Sequence, residues 1–398
     1  MAADPRPSVL MVTGAYFPEL SSGGLQCRAV ARLLRDRVRV RVLTTAIDPD
    51  LPERSMDGGV EVSRVVVGRA GAARRLAAHL LRLVSASDVV HLHGYSRKNI
   101  PVSIAAKLFR APIVLSLHTS NFDEPATIAA HGAPARWSLR AASLYLTVSR
   151  ALTEACARAG LPRERVREVA NGVDLDRFRP AAAAERPALR RALGLPADPP
   201  VVLFVGFFSR EKQPDVLFDA WRRARQAGWS STLVFVGATQ SAYFEVDDRL
   251  AADIRARATA AGAADAVVFV DPTPRIEDYY RAADVFVLPS SREGLPVALL
   301  EAMACGLPAV ASRLPGATDV AIEDGVSGVL VPPGDAAALG DALSRILSDR
   351  AFAAALGAAA RDRAAARFSA QRTADGWLEA YRAVGARFPE KDDPTCAA

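Results

Sequence analysis

The sequence predicts an α/β protein with two consecutive units, each built on a parallel sheet that helices cover on both faces. Three observations indicate this: a length of 398 residues, an alternation of strand-like and helix-like stretches, and a break in that alternation near the middle of the chain. A chain of this length exceeds what one ordinary hydrophobic core holds. Alternation of strands with helices is typical of parallel sheets that are buried on both faces.

Apolar runs in the first half of the chain are short and lie between polar or glycine-bearing segments, as buried strands do. Two stretches between them carry apolar residues at helical spacing. The predicted strands are residues 9–13, 38–43, 60–67, 88–93, 113–118 and 144–148, and the predicted helices are 25–36 and 70–84.

Residues 177–200 interrupt this pattern with five prolines and an alanine run, so we place the linker between the units there. Residues 1–180 are assigned to the first unit and 181–370 to the second. The second unit has predicted strands at 201–205, 232–236, 267–270, 285–288, 309–311 and 328–331, followed by a helical tail. We expect two Rossmann-like domains that face one another, with ligands at the carboxyl ends of their strands.

The composition is that of a soluble globular protein, with 50% hydrophobic and 24% charged residues. No apolar run reaches the roughly 18 residues that span a bilayer, and the first residues lack the apolar core of a signal peptide. The four cysteines show no metal-ligand spacing, which favours a reduced, cytoplasmic protein. A net charge of +6, without a basic run that contains aromatics, argues against a nucleic-acid partner.

The segment 290–308 carries the most informative chemistry. It follows a predicted strand, turns at a glycine and starts a helix near Pro296, since proline is tolerated in a first helical turn. The free N–H groups of such a turn favour an anion, here a diphosphate. Glu301 could accept hydrogen bonds from ribose hydroxyls, and Glu293 could reach a sugar hydroxyl. The alternative is an ordinary strand–turn–helix with two solvated glutamates. The backbone around the anion would be that of Gly294, Leu295, Pro296 and Val297.

Two glutamates with seven residues between them, framed as Glu-Gly-Leu-Pro…Leu-Glu-Ala-Met-Ala-Cys-Gly-Leu-Pro, resemble the signature of the retaining glycosyltransferases of family GT4. Further motifs extend the resemblance over most of the chain: Asn171-Gly-Val-Asp-Leu-Asp-Arg-Phe, Val205-Gly-Phe-Phe-Ser-Arg-Glu-Lys and Gly328-Val-Leu-Val-Pro-Pro-Gly-Asp. The resemblance implies the two-domain GT-B fold, in which a C-terminal helix, here about residues 371–398, crosses back to the first domain. It also implies a nucleotide-sugar donor and retention at the anomeric carbon.

Arg210 and Lys212 lie on the loop after Gly206 that resembles the family's phosphate-binding loop. Two preorganised cations there would stabilise the negative charge that grows on a departing nucleoside diphosphate. The family commonly carries arginine directly after the glycine, where this chain has Phe207, and Arg210 is the candidate to supply that charge. The alternative is a solvated pair of cations on a turn.

Other site residues take their roles from the resemblance. Gly23 and Gly24, which with Ser21 form a loop after the first strand, match glycines beside the donor diphosphate and the acceptor, because glycine admits close backbone approach. His118 matches a histidine that contacts the donor sugar near the reacting carbon. Asn171 begins a turn that positions the wall of the cleft. The alternatives are a plain flexible loop and an ordinary histidine at a strand end.

Metal binding is not predicted. His91 and His93 end a strand, and we place them on opposite faces because side chains alternate along a strand. No third ligand accompanies them. Asp174 and Asp176 have the spacing of an Asp-x-Asp metal motif, but they belong to the family motif beside the linker.

These features predict a metal-independent, retaining glycosyltransferase without a cofactor, which takes its sugar from UDP, the usual nucleotide, or from GDP. The acceptor hydroxyl could belong to a glycan, a lipid-linked sugar or a natural product. Two alternatives stay open, a non-catalytic GT-B scaffold subunit and a NAD-dependent oxidoreductase, although Gly-x-Gly-x-x-Gly does not follow the first strand. The catalytic candidates are His118, Arg210, Lys212 and Glu293.

A peripheral contact with the inner face of an anionic membrane is a further hypothesis. It rests on residues 70–84, where arginines alternate with leucines in a helical pattern. The alternative is an ordinary surface helix that packs its leucines on the sheet.

Overall fold

The computed structural model describes residues 5–19, 22–66, 68, 71–182, 184–240 and 246–388. The chain divides into two compact units, Met1–Gly172 with Ala370–Ala398, and Val173–Ser369. The first unit is therefore assembled from two separate stretches of chain, and the second from one. The boundary follows Gly172, whereas the sequence analysis places it after residue 180.

The first unit contains an eight-stranded sheet. Its strands are β1 (Ser8–Thr13), β2 (Arg39–Ala46), β3 (Arg54–Asp57), β4 (Val60–Val66), β5 (Val89–His93), β6 (Ile113–Leu117), β7 (Leu144–Thr147) and β8 (Val166–Glu168). Their order is β3-β4-β2-β1-β5-β6-β7-β8, and every neighbouring pair is parallel except β3 with β4. The six predicted strands are confirmed, and Val67, at the end of one prediction, lies outside the described residues.

The sequence analysis does not predict the strands β3 and β8. β3 reads Arg-Ser-Met-Asp without a buried side chain, and β8 has three residues, none of them buried. Both lie at an edge of the sheet. An edge strand is defined by hydrogen bonds to one neighbour, so it needs no apolar run that a sequence pattern would reveal.

Helices cover this sheet between its strands. Those described are α1 (Ser22–Leu34), α2 (Ala72–Val84), α3 (Asn99–Leu108), α4 (Pro125–Ala130), α5 (Ala133–Arg140) and α6 (Arg150–Arg158). α1 begins three residues earlier than predicted, so Gly23 and Gly24 lie in its first turn rather than on a loop. Ser21 and Ala70 lie outside the described residues. α2 buries Leu80 and Leu83, as a surface helix packed on a sheet does.

The second unit contains a six-stranded sheet in which every neighbouring pair is parallel. Its strands are β9 (Val201–Val205), β10 (Thr232–Val236), β11 (Val267–Val270), β12 (Val285–Leu288), β13 (Ala309–Ser312) and β14 (Val329–Val331). Their order is β11-β10-β9-β12-β13-β14. All six predicted strands of this unit are confirmed, because each is a short apolar run between turn-forming residues.

The remaining helices are α7 (Glu185–Ala192), α8 (Pro214–Gln226), α9 (Asp248–Ala260), α10 (Ile276–Ala282), α11 (Val297–Ala304), α12 (Thr318–Ala321), α13 (Ala336–Ser348), α14 (Arg350–Arg367) and α15 (Ala370–Ala383). α7 corrects the prediction that residues 177–200 are all linker. Pro187 lies in its first turn, where proline costs no hydrogen bond. The buried Arg190 then anchors the helix, donating to the carbonyl oxygens of Ala282 at 3.0 Å and Ala197 at 2.7 Å.

The last described helix belongs to the first unit, which confirms that the C-terminal helix returns there. Trp377 and Tyr381 of α15 are buried in one core cluster with Met11 of β1 and Val89 of β5. Residues 389–398 of the predicted C-terminal segment lie outside the described residues. None of the described helices is long and apolar enough to cross a membrane.

Gly237 follows β10 and fixes the loop after β9. Its φ is 153°, and a Cβ atom there would lie 1.9 Å from the carbonyl oxygen of Gly206. The N–H of Gly206 donates to the carbonyl oxygen of Val236 at 3.0 Å. Gly237 therefore allows its backbone to approach that of Gly206 more closely than a side chain at position 237 would permit.

We predict that Gly237→Ala lowers the free energy of unfolding by about 3 kcal/mol, since the new methyl group must displace the backbone of Gly206. Gly262→Ala is the matched control, because Gly262 also has a positive φ, 62°, but has open space around its Cβ position. Urea unfolding of both variants measures the difference. An equal loss in the two variants would show that backbone strain alone accounts for the effect.

Candidate active site

Two loops of the second unit are hydrogen-bonded to each other. β9 and β12 are parallel neighbours, so the loops that follow them leave the same edge of the sheet. The backbone N–H of Ser291, after β12, donates to the carbonyl oxygen of Glu211, after β9, at 2.8 Å. The hydroxyl of Ser291 donates to the same oxygen at 3.3 Å. These hydrogen bonds connect the loop that is predicted to bind phosphate with the segment 290–308, which carries Glu293 and Glu301.

Lys212 and Glu293 form an ion pair across these loops, with 2.6 Å between Nζ and Oε1. The Glu293 side chain is 9% exposed and that of Lys212 29%. The Lys212 N–H donates to both the carbonyl and the hydroxyl oxygen of Ser209, at 3.1 and 3.2 Å, which fixes the lysine backbone. A largely buried ion pair contributes little to stability, because desolvation offsets its attraction. The presence of this ion pair at a largely buried position therefore fits a role in binding or catalysis.

Arg210 is arranged differently from Lys212. Its side chain is 79% exposed, and it pairs with Asp247 at 3.0 Å. The Asp247 N–H donates to the carbonyl oxygen of Phe208 at 2.8 Å, so this ion pair lies beside the same loop. The structure does not bring Arg210 into the Lys212–Glu293 pair, and its predicted role on the diphosphate stays a prediction.

The helix α11 starts directly after the Gly294-Leu-Pro turn. Pro296 is the residue before the helix, with φ −73° and ψ 114°, rather than a member of its first turn as predicted. Its carbonyl oxygen accepts from the N–H of Leu299 at 3.1 Å, which closes that turn. The earlier N–H groups of a helix have no intrahelical acceptor, so those of Val297 and Ala298 suit an anion.

Glu301 lies on α11 and is partly buried. Its Oε2 accepts a hydrogen bond from the hydroxyl of Tyr280 at 2.9 Å. Burial raises the pKa of Glu301 to about 7, although the Tyr280 hydroxyl and the Arg177 guanidinium oppose this. Tyr280, on α10, is a residue that sequence reasoning missed, because nothing in its local pattern separates it from an ordinary core tyrosine. It holds the carboxyl group at one oxygen and leaves Oε1 for another donor.

Asp123 organises the loops after β5 and β6 in the first unit. Its Oδ2 accepts from the N–H groups of His118 and Thr119 at 2.8 and 2.9 Å, and its Oδ1 accepts from that of Tyr95 at 2.7 Å. The side chain is buried, with 5% exposure of the residue. Sequence reasoning missed Asp123; the available signal was an acidic residue in the polar segment that follows a strand ending in histidine.

Three histidine rings lie next to one another in this part of the first unit, and two of them, His93 and His118, are stacked. The ring centroids of His91 and His93 are 4.1 Å apart, and those of His93 and His118 are 5.9 Å apart with nearly parallel planes, 17°. The prediction that His91 and His93 lie on opposite faces of β5 is wrong. Because side chains alternate, residues two apart share a face. His91 also bonds to the hydroxyls of Ser116 at 2.7 Å and Tyr381 at 2.8 Å.

Burial keeps these imidazoles neutral. It lowers the pKa of His91 to about 3, that of His93 well below its ordinary value, and that of His118 as well. For His118, the Asp123 carboxylate and a hydrogen bond with the Asn171 side chain oppose the shift. Nε2 of His118 has no hydrogen-bond partner within the described chain. His118 is therefore an uncharged ring with one buried nitrogen whose hydrogen bond is not made within the described chain. No cluster of three or more potential metal ligands occurs among the described residues.

Comparison with known proteins matches the sequence of both units to glycosyltransferase models. The model described as "Glycosyl transferases group 1" matches residues 185–363, and the "Glycosyl transferase 4-like domain" matches residues 23–172. The chain is 34% identical to a D-inositol 3-phosphate glycosyltransferase of Acidothermus cellulolyticus, over 91% of this chain and 86% of the relative. It is 32% identical to that of Salinispora arenicola, over 92% and 88%. The chain belongs to the group 1 glycosyltransferases.

Solved structures agree on the fold of this glycosyltransferase. HepE of Anabaena, solved with UDP and glucose, has a TM-score of 0.78 at 22% identity, covering 94% of this chain and 99% of HepE. Sucrose-phosphate synthase of Thermosynechococcus elongatus has a TM-score of 0.75 at 24% identity, covering 95% and 99%. The glycosyltransferase therefore has the predicted GT-B fold with two Rossmann-like units, and the oxidoreductase alternative is set aside.

We predict that His91→Phe destabilises this glycosyltransferase by about 2 kcal/mol more than His93→Phe does. The first change leaves the buried hydroxyls of Ser116 and Tyr381 without their partner, and each such loss costs about 1–3 kcal/mol. Both ring nitrogens of His93 lack a hydrogen-bond partner within the described residues, so phenylalanine removes no bond there. Urea unfolding followed by tryptophan fluorescence compares the variants, and an equal or reversed order would contradict the assigned hydrogen bonds.

Proposed function

We propose that this glycosyltransferase moves a sugar from UDP to a hydroxyl group of a small phosphorylated polyol, with retention at the anomeric carbon and without a metal ion. The observation that carries the donor half is the Lys212–Glu293 ion pair, joined through its loops to the start of α11. A cation, a carboxylate and free helix N–H groups in one place match the diphosphate and the sugar of the donor.

The leaving group determines what the second unit must supply. When the bond between the sugar and the diphosphate breaks, negative charge grows on the departing oxygen, and preorganised cations and N–H groups stabilise that charge. Lys212 and the first turn of α11 are the groups proposed for this task, with Arg210 as a further contributor. Glu293, held by Lys212, is proposed to accept a hydrogen bond from a sugar hydroxyl.

Nucleotide recognition is proposed to rest on Glu301. Its Oε2 is held by Tyr280, so Oε1 remains to accept a hydrogen bond from a ribose hydroxyl. UDP is proposed as the nucleotide, because HepE, a structural neighbour, was solved with UDP-glucose. GDP is the competing nucleotide.

The names of two relatives and the neutral His118 support the proposals on the acceptor and on the stereochemistry. The relatives in Acidothermus cellulolyticus and Salinispora arenicola are both named D-inositol 3-phosphate glycosyltransferases, which favours a phosphorylated cyclitol among small polyols. His118 offers a neutral imidazole for the sugar. In the part of the chain that the structure describes, no side chain stands out as a covalent nucleophile, so we propose a front-face substitution in which the leaving phosphate accepts the acceptor proton.

The Asp174–Asp176 pair is engaged in the backbone. Oδ1 of Asp174 accepts from the N–H groups of Asp176 and Arg177, each at 3.0 Å. A carboxylate that closes its own turn in this way is a poor candidate for a metal ligand. We therefore propose that Lys212 and the start of α11, rather than a metal ion, neutralise the diphosphate.

Lys212→Met should reduce the turnover of UDP-glucose with inositol 3-phosphate at least tenfold, equal to about 1.4 kcal/mol, because the charge on the leaving oxygen loses its cation. Glu301→Ala should weaken UDP binding by a similar factor. Release of UDP and calorimetric UDP binding measure the two effects.

Lys107→Met is the matched control, since Lys107 is an exposed lysine of α3 in the other unit. Wild-type turnover in both Lys212→Met and Glu301→Ala would refute the donor assignment. A wild-type chain that neither hydrolyses nor transfers any nucleotide sugar would favour the scaffold alternative. Activity that is lost in EDTA and restored by Mg²⁺ or Mn²⁺ would refute metal independence, and an inverted product anomer would refute retention.

Donor affinity should depend on pH through Glu301. The carboxylate accepts ribose hydrogen bonds, whereas its protonated form offers fewer acceptors, so affinity rises as pH rises through about 7, where Glu301 loses its proton. Between pH 7 and pH 6 the Kd of UDP-glucose should increase by up to about fivefold, because the ionised fraction of Glu301 falls from about one half to about one tenth. Calorimetry across this range measures it. Glu301→Gln should bind more weakly but show a flat profile, and an unchanged pH dependence in that variant would contradict the assignment.

A further inference from the structure

Lys98 is a cation of the first unit that the proposed chemistry has not used. It is the residue before α3, and its ammonium group donates a hydrogen bond to the carbonyl oxygen of Thr13, the last residue of β1. A Cβ atom on Gly14 would lie 4.0 Å from Nζ of Lys98. Because β1 and β5 are parallel neighbours, the ammonium lies at the carboxyl edge of the sheet, where open α/β sheets bind ligands.

The loop that carries Lys98 is held in place by its own hydrogen bonds. The amide of the buried Asn99 donates to the carbonyl oxygen of Gly94 at 3.0 Å, and its oxygen accepts from the hydroxyl of Ser96 at 3.2 Å. The N–H of Tyr95 is bonded to Asp123. The position of the Lys98 backbone is therefore fixed independently of what its ammonium group contacts.

The acidic groups of the adjoining loops are bonded to backbone N–H groups rather than to Lys98. Both oxygens of Asp123 accept from N–H groups after β5 and β6. Oε1 of Glu19, after β1, accepts from two N–H groups that follow β2. Within the described residues no carboxylate pairs with the Lys98 ammonium, and burial lowers the pKa of Lys98 to about 7.

A partly buried ammonium without a counter-charge is costly to maintain, so a bound anion would relieve that cost. An ammonium group has three N–H donors, and the carbonyl oxygen of Thr13 takes one of them. A phosphate group supplies both the missing negative charge and oxygen acceptors for the other two donors.

We propose that Lys98 binds the phosphate group of the acceptor. This inference rests on the proposed function, since it takes the acceptor to be a phosphorylated polyol. The donor diphosphate is the other source of phosphate, but the cation proposed for it, Lys212, and the first turn of α11 belong to the second unit, and Gly23 and Gly24 of the first unit carry no side-chain charge. Lys98 of the first unit is therefore assigned to the acceptor phosphate.

The chain has four lysines, at positions 98, 107, 212 and 391, so lysine NMR of the full-length wild-type protein resolves each of them. The probes are inositol 3-phosphate, inorganic phosphate, unphosphorylated inositol and UDP, each added to protein with ¹³C,¹⁵N-labelled lysine. The Lys98 signal, assigned by its loss in Lys98→Met, should shift with both phosphate compounds and its pKa should rise. It should not shift with inositol. The Lys212 signal should respond to UDP instead.

Kinetics provide a second measurement. Lys98→Met, which keeps a long apolar side chain, should raise the KM for inositol 3-phosphate at least tenfold, whereas Arg97→Met, at the exposed neighbouring position, should leave it unchanged. A Lys98 signal that follows UDP alone, or that follows no phosphate compound, would overturn the inference, as would an unchanged KM. If the wild-type protein does not consume nucleotide sugar at all, the proposed function itself fails. If Lys98→Met does not fold, the wild-type Lys98 signal is assigned as the one that persists in each of Lys107→Met, Lys212→Met and Lys391→Met, so the NMR titration still decides.

Discussion

Parallel pairing of neighbouring strands is the constraint on which the candidate residues of each unit depend. It sends the chain out of every strand except the antiparallel β3 at the same edge of its sheet, so loops distant in sequence meet there. In the second unit this joins Glu211 to Ser291 and lets Lys212 reach Glu293. In the first unit it lets one carboxylate, that of Asp123, hold the loops after β5 and β6 together. Without parallel pairing, the loops that carry these residues would not leave the sheet at a common edge.

Charged groups at these edges are partly or largely buried, although removing a charge from water costs free energy. The Lys212–Glu293 pair is mostly buried, and Glu301 is bonded at one oxygen by a neutral tyrosine. A protein selected for stability alone gains little from such groups, since apolar side chains of similar size would serve as well. Their cost is offset only when a ligand with its own charges and hydroxyls arrives, which agrees with a transferase that must bind a diphosphate and release it again.

Most strands of the fold could be predicted from the sequence, because a strand buried on both faces must be apolar and short. The exceptions have physical causes: edge strands such as β3 need no apolar residues, and Pro187, one of the prolines that suggested a linker, lies in the first turn of α7, where proline is compatible with a helix. Lys212 and Glu293 were found as separate motifs, but their pairing is a tertiary fact. Tyr280 was missed because its contact with Glu301 is a tertiary fact and its local pattern is that of a core tyrosine, whereas Asp123 was missed although two of its partners, His118 and Thr119, lie within five residues. The prediction for His91 and His93 was wrong although the sequence was sufficient to place both on one face of β5, since residues two apart in a strand share a face.

The helix α15 has a consequence for how the protein is made. Its buried residues, Trp377 and Tyr381 among them, complete a core whose other buried members, apart from Ala386, lie between Val9 and Leu146. The ribosome synthesises the whole second unit, 173–369, before α15. The second unit can therefore fold during synthesis, whereas the core of the first unit stays incomplete until α15 has been made. The buried hydrogen bond between His91 and Tyr381, whose partners are 290 positions apart, is then among the last to form. Premature termination before residue 370 would leave a nascent chain with exposed apolar surface, a natural target for chaperones and proteases.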